Sequence, residues 1–517
     1  MDELRSHLSG SWQSGTGEPQ ILYNPATEEA VATCCATGLD LEAGLDFARR
    51  QGGSALRKLS LAQRGQLLQT LASTIHEHRE SLIELAISNG GNTRSDAKFD
   101  IDGASATLAY YAGLAAAKGD AMVHEDGEML QLGQSRRFVG RHAWLPRNGV
   151  AVLINAFNFP AWGFGEKAAC ALLAGMPIVV KPATSTACVA ARLVEIAVDK
   201  MPAGTLSSVV GSAHVLPTLL GYQDVISFTG SSQTAGRLRA LPQVASGAVR
   251  LNVEADSLNA AVLGPDIEAG SDTYNMFLRD VSREMTQKAG QKCTAIRRVF
   301  TSSAIRERVR DDLVERLGAV RVGNPAAAGV KMGPVATAQQ RRDVLAGIEV
   351  LASQTRKVFG SDDAELVGTQ DGKGYFVPIT LLESDTPDVS GVHDDEVFGP
   401  VATLMGGVDD AVTAGTWVAK GRGGLVCSIY TDDRSYAGAM LGEVGPHHGR
   451  VMFASTKISD QAPSPGTVLP SMNHGGPGRA GGGEELGGWY GTGLYAQRVA
   501  VQGDRGMLDA MLGKATS

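Results

Sequence analysis

Long apolar runs are missing from this chain. No stretch reaches the ~18–20 consecutive apolar residues that a membrane-crossing helix needs, so no membrane span is expected. A basic surplus is missing as well. The 47 Lys and Arg are outnumbered by 55 Asp and Glu, a formal charge of -8 at pH 7, and this argues against nucleic acid as a partner. The opening residues Met1-Asp2-Glu3-Leu4-Arg5 lack the basic start and apolar run of an export signal. Cysteine is sparse: Cys34, Cys35, Cys170, Cys188, Cys293 and Cys427 suggest no disulfide framework, and no Cys/His cluster has zinc-ligand spacing. A reduced, cytoplasmic protein without a metal site is the expectation. The Gly-x-Gly-x-x-Gly phosphate fingerprint is also absent from the region where short strands and helices alternate. Glycine itself is abundant, with 64 residues, but without a Gly-X-Y period, which excludes collagen. No internal repeat of fixed period is visible.

What is present is an ordinary globular composition, 43% apolar and 20% charged, long enough for roughly two to four domains. Residues 59–88 read as one long amphipathic helix, with Leu67, Leu68, Leu71 and Ile75 near helical spacing. From Gly149 onward, short apolar runs alternate with helical stretches. Runs at 150–154, 177–180, 208–210 and 225–228 stop at Asn155, Lys181, Gly211 and Thr229, with helices expected over 162–174 and 186–200. Such alternation predicts βαβ units and a parallel sheet, and polar residues at strand ends mark where open α/β sheets bind ligands. A second α/β segment runs from Leu251 to about Arg450, with helices over 306–317 and 337–348 and a strand over 424–430. The glycine-dense block 475–488 is either a linker or a backbone held in special conformations against something.

Taken one at a time, the chemically interesting residues are ambiguous. Cys293, in Gly290-Gln291-Lys292-Cys293-Thr294-Ala295, has a flexible approach and a neighbouring Lys292 that would lower a thiol's pKa, yet most cysteines are buried fillers. Glu254 follows an apolar run, where burial would raise its pKa toward a general base's range, while most glutamates are solvated. Asn158 could donate to an oxyanion or simply turn the chain before a helix. Lys167, Lys181, Glu396 and Glu485 read singly as surface charges.

Together these segments resemble something specific. Asn155-Ala156-Phe157-Asn158-Phe159-Pro160, Lys181-Pro182-Ala183, Phe228-Thr229-Gly230-Ser231, Glu254, Gly290-Gln291-Lys292-Cys293 and Glu396-Val397-Phe398-Gly399-Pro400-Val401 occur in the order and at about the spacings of the NAD(P)-dependent aldehyde dehydrogenase superfamily. The resemblance covers about residues 20–500. It implies an α/β aldehyde dehydrogenase fold: a Rossmann-like cofactor domain over 1–130 and 150–251, an α/β catalytic domain over 252–470, and oligomerisation segments over 131–149 and 471–517, in a homodimer or homotetramer. It also implies roles. Cys293 matches the nucleophile, Glu254 the base that activates water, and Asn158 the oxyanion donor. Lys167 and Glu485 match a proton relay toward that base. Asn155, Lys181, Thr184, Gly211, Thr229, Gly230, Ser231, Glu396 and Phe398 match the cofactor site, with Glu396 at the nicotinamide ribose, Lys181 at the adenosine ribose and the 229–231 turn at the pyrophosphate.

Two departures stand out. Glu254 continues as Ala255-Asp256-Ser257-Leu258-Asn259 where most relatives have Leu-Gly-Gly, and Ala235 stands where a glycine is usual. With the block after His474, they resemble a subgroup acting on CoA-linked semialdehydes in aerobic benzoate and phenylacetate degradation. That implies a substrate such as 3,4-dehydroadipyl-CoA semialdehyde. Some members of this subgroup carry a hydratase-type domain after the dehydrogenase, and a chain stopping at Ser517 fits the single-function members better. A neutral Thr184 beside Lys181 implies that NADP is accepted and preferred over NAD. The alternatives are a dehydrogenase for free aliphatic semialdehydes, an acylating enzyme that releases acyl-CoA, and an inactive structural relative. Retention of Glu254 argues against the second, and retention of Cys293, Glu254 and Asn158 against the third. Residues 136–142 are expected to form an arm strand pairing across subunits.

Overall fold

Two seven-stranded sheets carry the molecule, and the apolar runs that predicted strands are their central members. The computed structural model describes residues 2–360, 365–370 and 372–512. The outer ends of the first and last expected segments, residue 1 and residues 513–517, lie outside the described residues. The N-terminal sheet has the order Arg250–Glu254, Val225–Thr229, Ala151–Ile154, Ile178–Lys181, Leu206–Ser208, Ser6–Leu8, Ser11–Gln13. Its first five strands run parallel and its last two antiparallel. Both faces are covered by helices, so Val152, Leu153, Val179, Val180, Val225 and Ile226 are fully buried. The register sets Ile154 beside both Lys181 and Phe228, and Thr229 beside Glu254. Asn155, Lys181, Thr229 and Glu254 therefore line one edge of the sheet, at the carboxyl ends of parallel strands.

The C-terminal sheet has the order Arg356–Phe359, Thr380–Ser384, Val401–Met405, Ile296–Phe300, Asn259–Leu263, Gly424–Tyr430, His448–Ala454. Only its first, edge strand is antiparallel. A separate three-stranded sheet joins His124–Gln131, Phe138–Pro146 and Ala496–Asp504. Phe138–Pro146 is its middle strand. Both of its hydrogen-bonding edges are taken within the chain, so the expectation that this segment pairs across subunits does not hold for it.

The long helix expected over 59–88 is two helices, Leu61–Glu77 and Arg79–Gly90. Ser60 and Gln63 form a capping box that starts the first. His78 leaves helical geometry at φ -99°, ψ 13°, and its carbonyl accepts the Ser81 hydroxyl at 2.9 Å. Periodicity alone could not show that break. The run expected at 208–210 is the strand Leu206–Ser208. The helices Trp162–Leu173, Ala187–Ala197, Arg306–Gly318 and Ala338–Ala352 lie where the pattern put them. Among the described residues no helix is long and apolar enough to cross a membrane.

The glycine-dense block is not a linker. Asn473–Gly475 and Glu484–Leu486 pair antiparallel, with His474 opposite Glu485. Gly475 has φ +135°, and a Cβ there would stand 2.1 Å from the Gly483 carbonyl oxygen. Gly481 has φ +108°, and its Cβ would stand 2.3 Å from the Val253 carbonyl oxygen. Only glycine allows this backbone to press against the strand that ends in Glu254.

Candidate active site

Cys293 sits on a loop whose approach is contorted. Lys288, Ala289 and Gly290 all take left-handed backbone angles, φ 55°, 54° and 69°, a sparsely populated conformation for the first two that clusters at functional sites. Gly290 has no alternative, because a Cβ there would lie 2.2 Å from the Gly399 carbonyl oxygen. This close approach ties the cysteine segment to Glu396-Val397-Phe398-Gly399. Arg297 fastens the same junction, donating to the carbonyls of Gly399 at 2.6 Å and Gly290 at 2.8 Å. Asn259, part of the unusual base motif, donates its amide to the Cys293 carbonyl at 2.8 Å and to that of Ala295 at 2.9 Å. Asn259 thus clamps the Cys293 loop through two backbone carbonyls.

The thiol faces a narrow, partly open cavity of about 40 Å³ lined by Asn158, Glu166, Lys167, Glu254, Cys293 and His474, among others. That is room for roughly three waters or the end of a short chain. The reactive atoms of Glu254, Cys293 and His474 lie within 4.8 Å of one another. His474 Nε2 is 3.2 Å from Glu254 Oε2, and both side chains are buried. Lys167, also buried, donates to Thr229 Oγ1 at 2.7 Å and meets Glu485 Oε2 at 3.4 Å. Glu485 Oε1 accepts from Ser227 and from Asn252, both at 3.0 Å. Asn158 donates one amide N–H to the Gln291 carbonyl at 2.9 Å.

Two electrostatic expectations are overturned. Lys292 pulls the neighbouring thiol downward as expected but is outweighed, its ammonium being held by Glu284 and Gln287, each at 2.8 Å. Burial, with the nearby Glu254 charge, pushes the Cys293 thiol well above its ordinary pKa. Glu254 was expected to be raised by burial. Burial does act in that direction, but the charge and hydrogen bond of His474, with the charge of Lys167, carry the carboxyl below its usual range. Conversely, burial alone would lower His474, and the Glu254 and Glu166 carboxylates raise it instead. Glu166 is raised to about 7 by burial, offset in part by His474 and Lys167. Burial would lower Lys167, but Glu485, Glu166 and Glu254 raise it, so it stays charged.

Sequence reasoning missed Glu166 and His474. Glu166 sits one residue before Lys167 on a helix buried almost all round. An isolated histidine carries no spacing signal, and only the strand pairing with Glu485 brings His474 to the site.

Lys167 is the shared counter-ion of three buried carboxylates. Lys167→Met leaves Glu485 without its ion-pair partner, and removing one partner of a buried ion pair costs about 3–5 kcal/mol. The expected outcome is a melting midpoint lowered by several degrees, readable by calorimetry. A midpoint unchanged within a degree would mean that the cluster is neutralised by proton uptake.

Most of the remaining predicted residues lie at or just past the carboxyl ends of the N-terminal sheet's strands, while Glu396 and Phe398 precede the strand Val401–Met405 of the other sheet. Asn155 is buried with both amide atoms unpartnered. Lys181 donates to the Pro182 carbonyl at 2.7 Å, and burial brings its pKa down to about 8. Thr184 opens a short 3-10 turn. Gly211 has φ +116° and packs on the backbone of Cys35 and Ala36. Ser231 caps the helix Ser232–Arg239, its hydroxyl accepting the Thr234 N–H at 3.3 Å, and the Gly230 N–H bonds the Glu254 carbonyl at 3.1 Å. Glu396 is half-buried, accepts the Ser257 N–H at 3.1 Å, and its Oε1 makes no hydrogen bond but lies 3.8 Å from the Arg297 Nε. Its pKa is raised to about 7, chiefly by burial. Phe398 packs edge-on to Phe157, with ring centres 5.8 Å apart. The structure brings Thr229 to the Lys167 ammonium in the inner cavity, while its neighbours Gly230 and Ser231 stay at the helix start. Buried polar atoms without a hydrogen bond on Asn155 and on Glu396 suit polar ligand groups, and a dinucleotide with an amide and ribose hydroxyls offers such groups.

Comparison with known proteins agrees with this geometry. The family model described as "Aldehyde dehydrogenase family" matches residues 12–498. A 3,4-dehydroadipyl-CoA semialdehyde dehydrogenase of Aromatoleum evansii is 40% identical over 481 residues, 92% of this chain and 93% of the relative. An alpha-ketoglutaric semialdehyde dehydrogenase of Bacillus subtilis (strain 168) is 29% identical, covering 90% of this chain and 93% of its own. The solved structure of betaine aldehyde dehydrogenase from Staphylococcus aureus, in complex with NAD+, superposes with a TM-score of 0.84 at 23% identity, over 97% of this chain and 94% of that one. The chain is an enzyme of the aldehyde dehydrogenase family.

Proposed function

We propose that this enzyme oxidises a CoA-linked semialdehyde, of the 3,4-dehydroadipyl-CoA semialdehyde type, to the corresponding acid with NADP in aerobic benzoate or phenylacetate breakdown. The observation that carries the substrate class is the 40% identity, over 92% of the chain, to a dehydrogenase of that name. The cavities are compatible with it. Outside the tight inner cavity lies a chamber of about 400 Å³, sharing Phe99, Trp162 and Val468 with it and bordered by Lys98 and Arg283. A short acyl end fits inside, and a long polar tail with phosphates would lie beyond, near the two cations.

In this reading Cys293 attacks the aldehyde carbon, and the oxyanion is met by the second Asn158 N–H and the Cys293 backbone N–H. The raised thiol must lose its proton to a neighbouring base as it attacks. Asn155, Lys181, Thr184, Gly211, Gly230, Ser231, Glu396 and Phe398 hold the nicotinamide dinucleotide, which when bound accepts the hydride that leaves the aldehyde carbon. Glu254 then draws a proton from water as it attacks the Cys293 thioester. Lys167 and Glu485 form the charged floor behind Glu254. A neutral Thr184 beside Lys181 favours the additional phosphate of NADP. The domain division at residues 251–252 and a homodimeric or homotetrameric state belong to the same reading.

Formation of NADPH and NADH is the test, with a CoA-linked C6 semialdehyde set against free succinic and adipic semialdehydes and hexanal. The expected result is a kcat/KM for the CoA-linked substrate at least about tenfold above the free aldehydes, or roughly 1.4 kcal/mol of transition-state binding from the tail. Equal values would remove the CoA-linked assignment and leave a dehydrogenase for free semialdehydes.

A further inference from the structure

The residue in direct contact with the base is one that the sequence did not single out. Lys167 and Glu485, expected to relay protons to Glu254, are engaged with Thr229 and with each other. The partner that meets the Glu254 carboxylate is His474, at 3.2 Å. His474 reaches this position because Asn473–Gly475 pairs with Glu484–Leu486 and because the glycines of that block let it press against the Glu254 strand.

The charged groups facing His474 come from four other elements. They are Glu254 at the end of Arg250–Glu254, Glu166 and Lys167 on Trp162–Leu173, Arg450 on His448–Ala454, and Glu485 across the pair. Cys293 adds a thiol within 4.8 Å. Carboxylates outnumber cations among these neighbours, so the site can hold one proton on the Glu254–His474 pair. That arrangement has a consequence for water activation. With His474 protonated, Glu254 is a carboxylate neutralised by its partner and has little affinity for another proton.

We propose that Glu254 and His474 work as one base, in which Glu254 takes the proton of the attacking water and passes it across their contact to His474. The proposal rests on the reading of Cys293 as the acylated nucleophile and Glu254 as its hydrolytic base. The step balances within named groups. A water O–H bond breaks and its proton moves to Glu254 Oε2 and on to His474 Nε2. The water oxygen bonds the thioester carbon, the C–S bond breaks, and the Cys293 thiolate leaves. The pair must be free of its proton before the step begins, so hydrolysis of the acyl-enzyme rises with pH as His474 discharges. His474 does not touch the reacting carbon, and its role is to position the base and hold its proton.

The test uses 4-nitrophenyl acetate, which acylates a thiol without any cofactor, and follows the burst of nitrophenolate and the steady rate from pH 5 to 9.5. In wild type the steady rate should climb through a midpoint above the ordinary imidazole value near 6.5. His474→Gln should keep the burst, move that midpoint roughly one pH unit or more toward acid, and lower the plateau by about tenfold. His474→Lys keeps a cation that stays charged across the range and should leave hydrolysis slow throughout. Glu166→Gln removes the lesser of the two carboxylates that raise His474, so it should move the midpoint toward acid by less than His474→Gln does and should keep the plateau, which separates the pair from the Glu166 carboxyl raised to about 7. A normal burst with an unmoved midpoint in His474→Gln overturns the proposal alone. A midpoint below 6.5 in wild type also overturns it, without need of a variant. Absence of a burst in wild type overturns the Cys293 reading and this proposal together.

Discussion

Cys293→Ala is expected to lose aldehyde-dependent NADPH formation by roughly 10⁴-fold or more, because no neighbouring group can form the thioester in its place. The other five cysteines are buried, and none of them lines the cavity that holds Asn158 and Glu254. None of them can substitute as a nucleophile. Stability should barely change. The Cys293 thiol is pushed up by burial beside the Glu254 carboxylate, while the loop is held by backbone contacts from Asn259 and Arg297 that alanine retains. The variant should therefore melt within a few degrees of wild type. Steady-state NADPH formation with calorimetry alongside checks both parts. Residual activity within tenfold of wild type would move the chemistry off Cys293.

Glu254→Gln should split the reaction in two. The side chain keeps its shape but cannot accept a proton, so hydride transfer proceeds and the thioester persists. The expected trace is one equivalent of NADPH per subunit, followed by a steady rate reduced by roughly 10²- to 10⁴-fold, the usual contribution of a positioned general base. Loss of the carboxylate also removes a charge that raises the Cys293 thiol, so the burst should be no slower than in wild type. Rapid-mixing absorbance at the NADPH band reads this directly. A uniform slowing with no burst would place Glu254 in the first half of the reaction.

The sequence showed the strands of both large sheets because their buried faces demand continuous apolar runs, as in 150–154, 177–180 and 424–430. It also singled out Cys293, Glu254 and Asn158, the residues proposed here as nucleophile, base and oxyanion donor, through six ordered segments. Other features were hidden because their signals are three-dimensional. The break at His78 rests on one residue's backbone angles and a hydroxyl from Ser81. Lys292 next to Cys293 suggested an activating charge, yet side chains of adjacent residues diverge, its ammonium is bound by Glu284 and Gln287, and its pull on the thiol is outweighed by burial and Glu254. His474 lies 220 residues from Glu254 along the chain (474 − 254). Only the pairing of Asn473–Gly475 with Glu484–Leu486, allowed by glycines at positive φ, sets its imidazole against the base. The same contact reverses the expected direction of the Glu254 shift. Burial was legible in the run before Glu254, and its ion-pair partner was not.

The most direct test of the account is the covalent state of Cys293 during turnover. Glu254→Gln enzyme would be mixed with the CoA-linked C6 semialdehyde and NADP, quenched in acid, and measured by intact and peptide mass spectrometry. The account predicts a mass increase equal to the acyl group, carried on the peptide containing Cys293, in step with one equivalent of NADPH. Unmodified Cys293 after that equivalent has formed would contradict a thioester route.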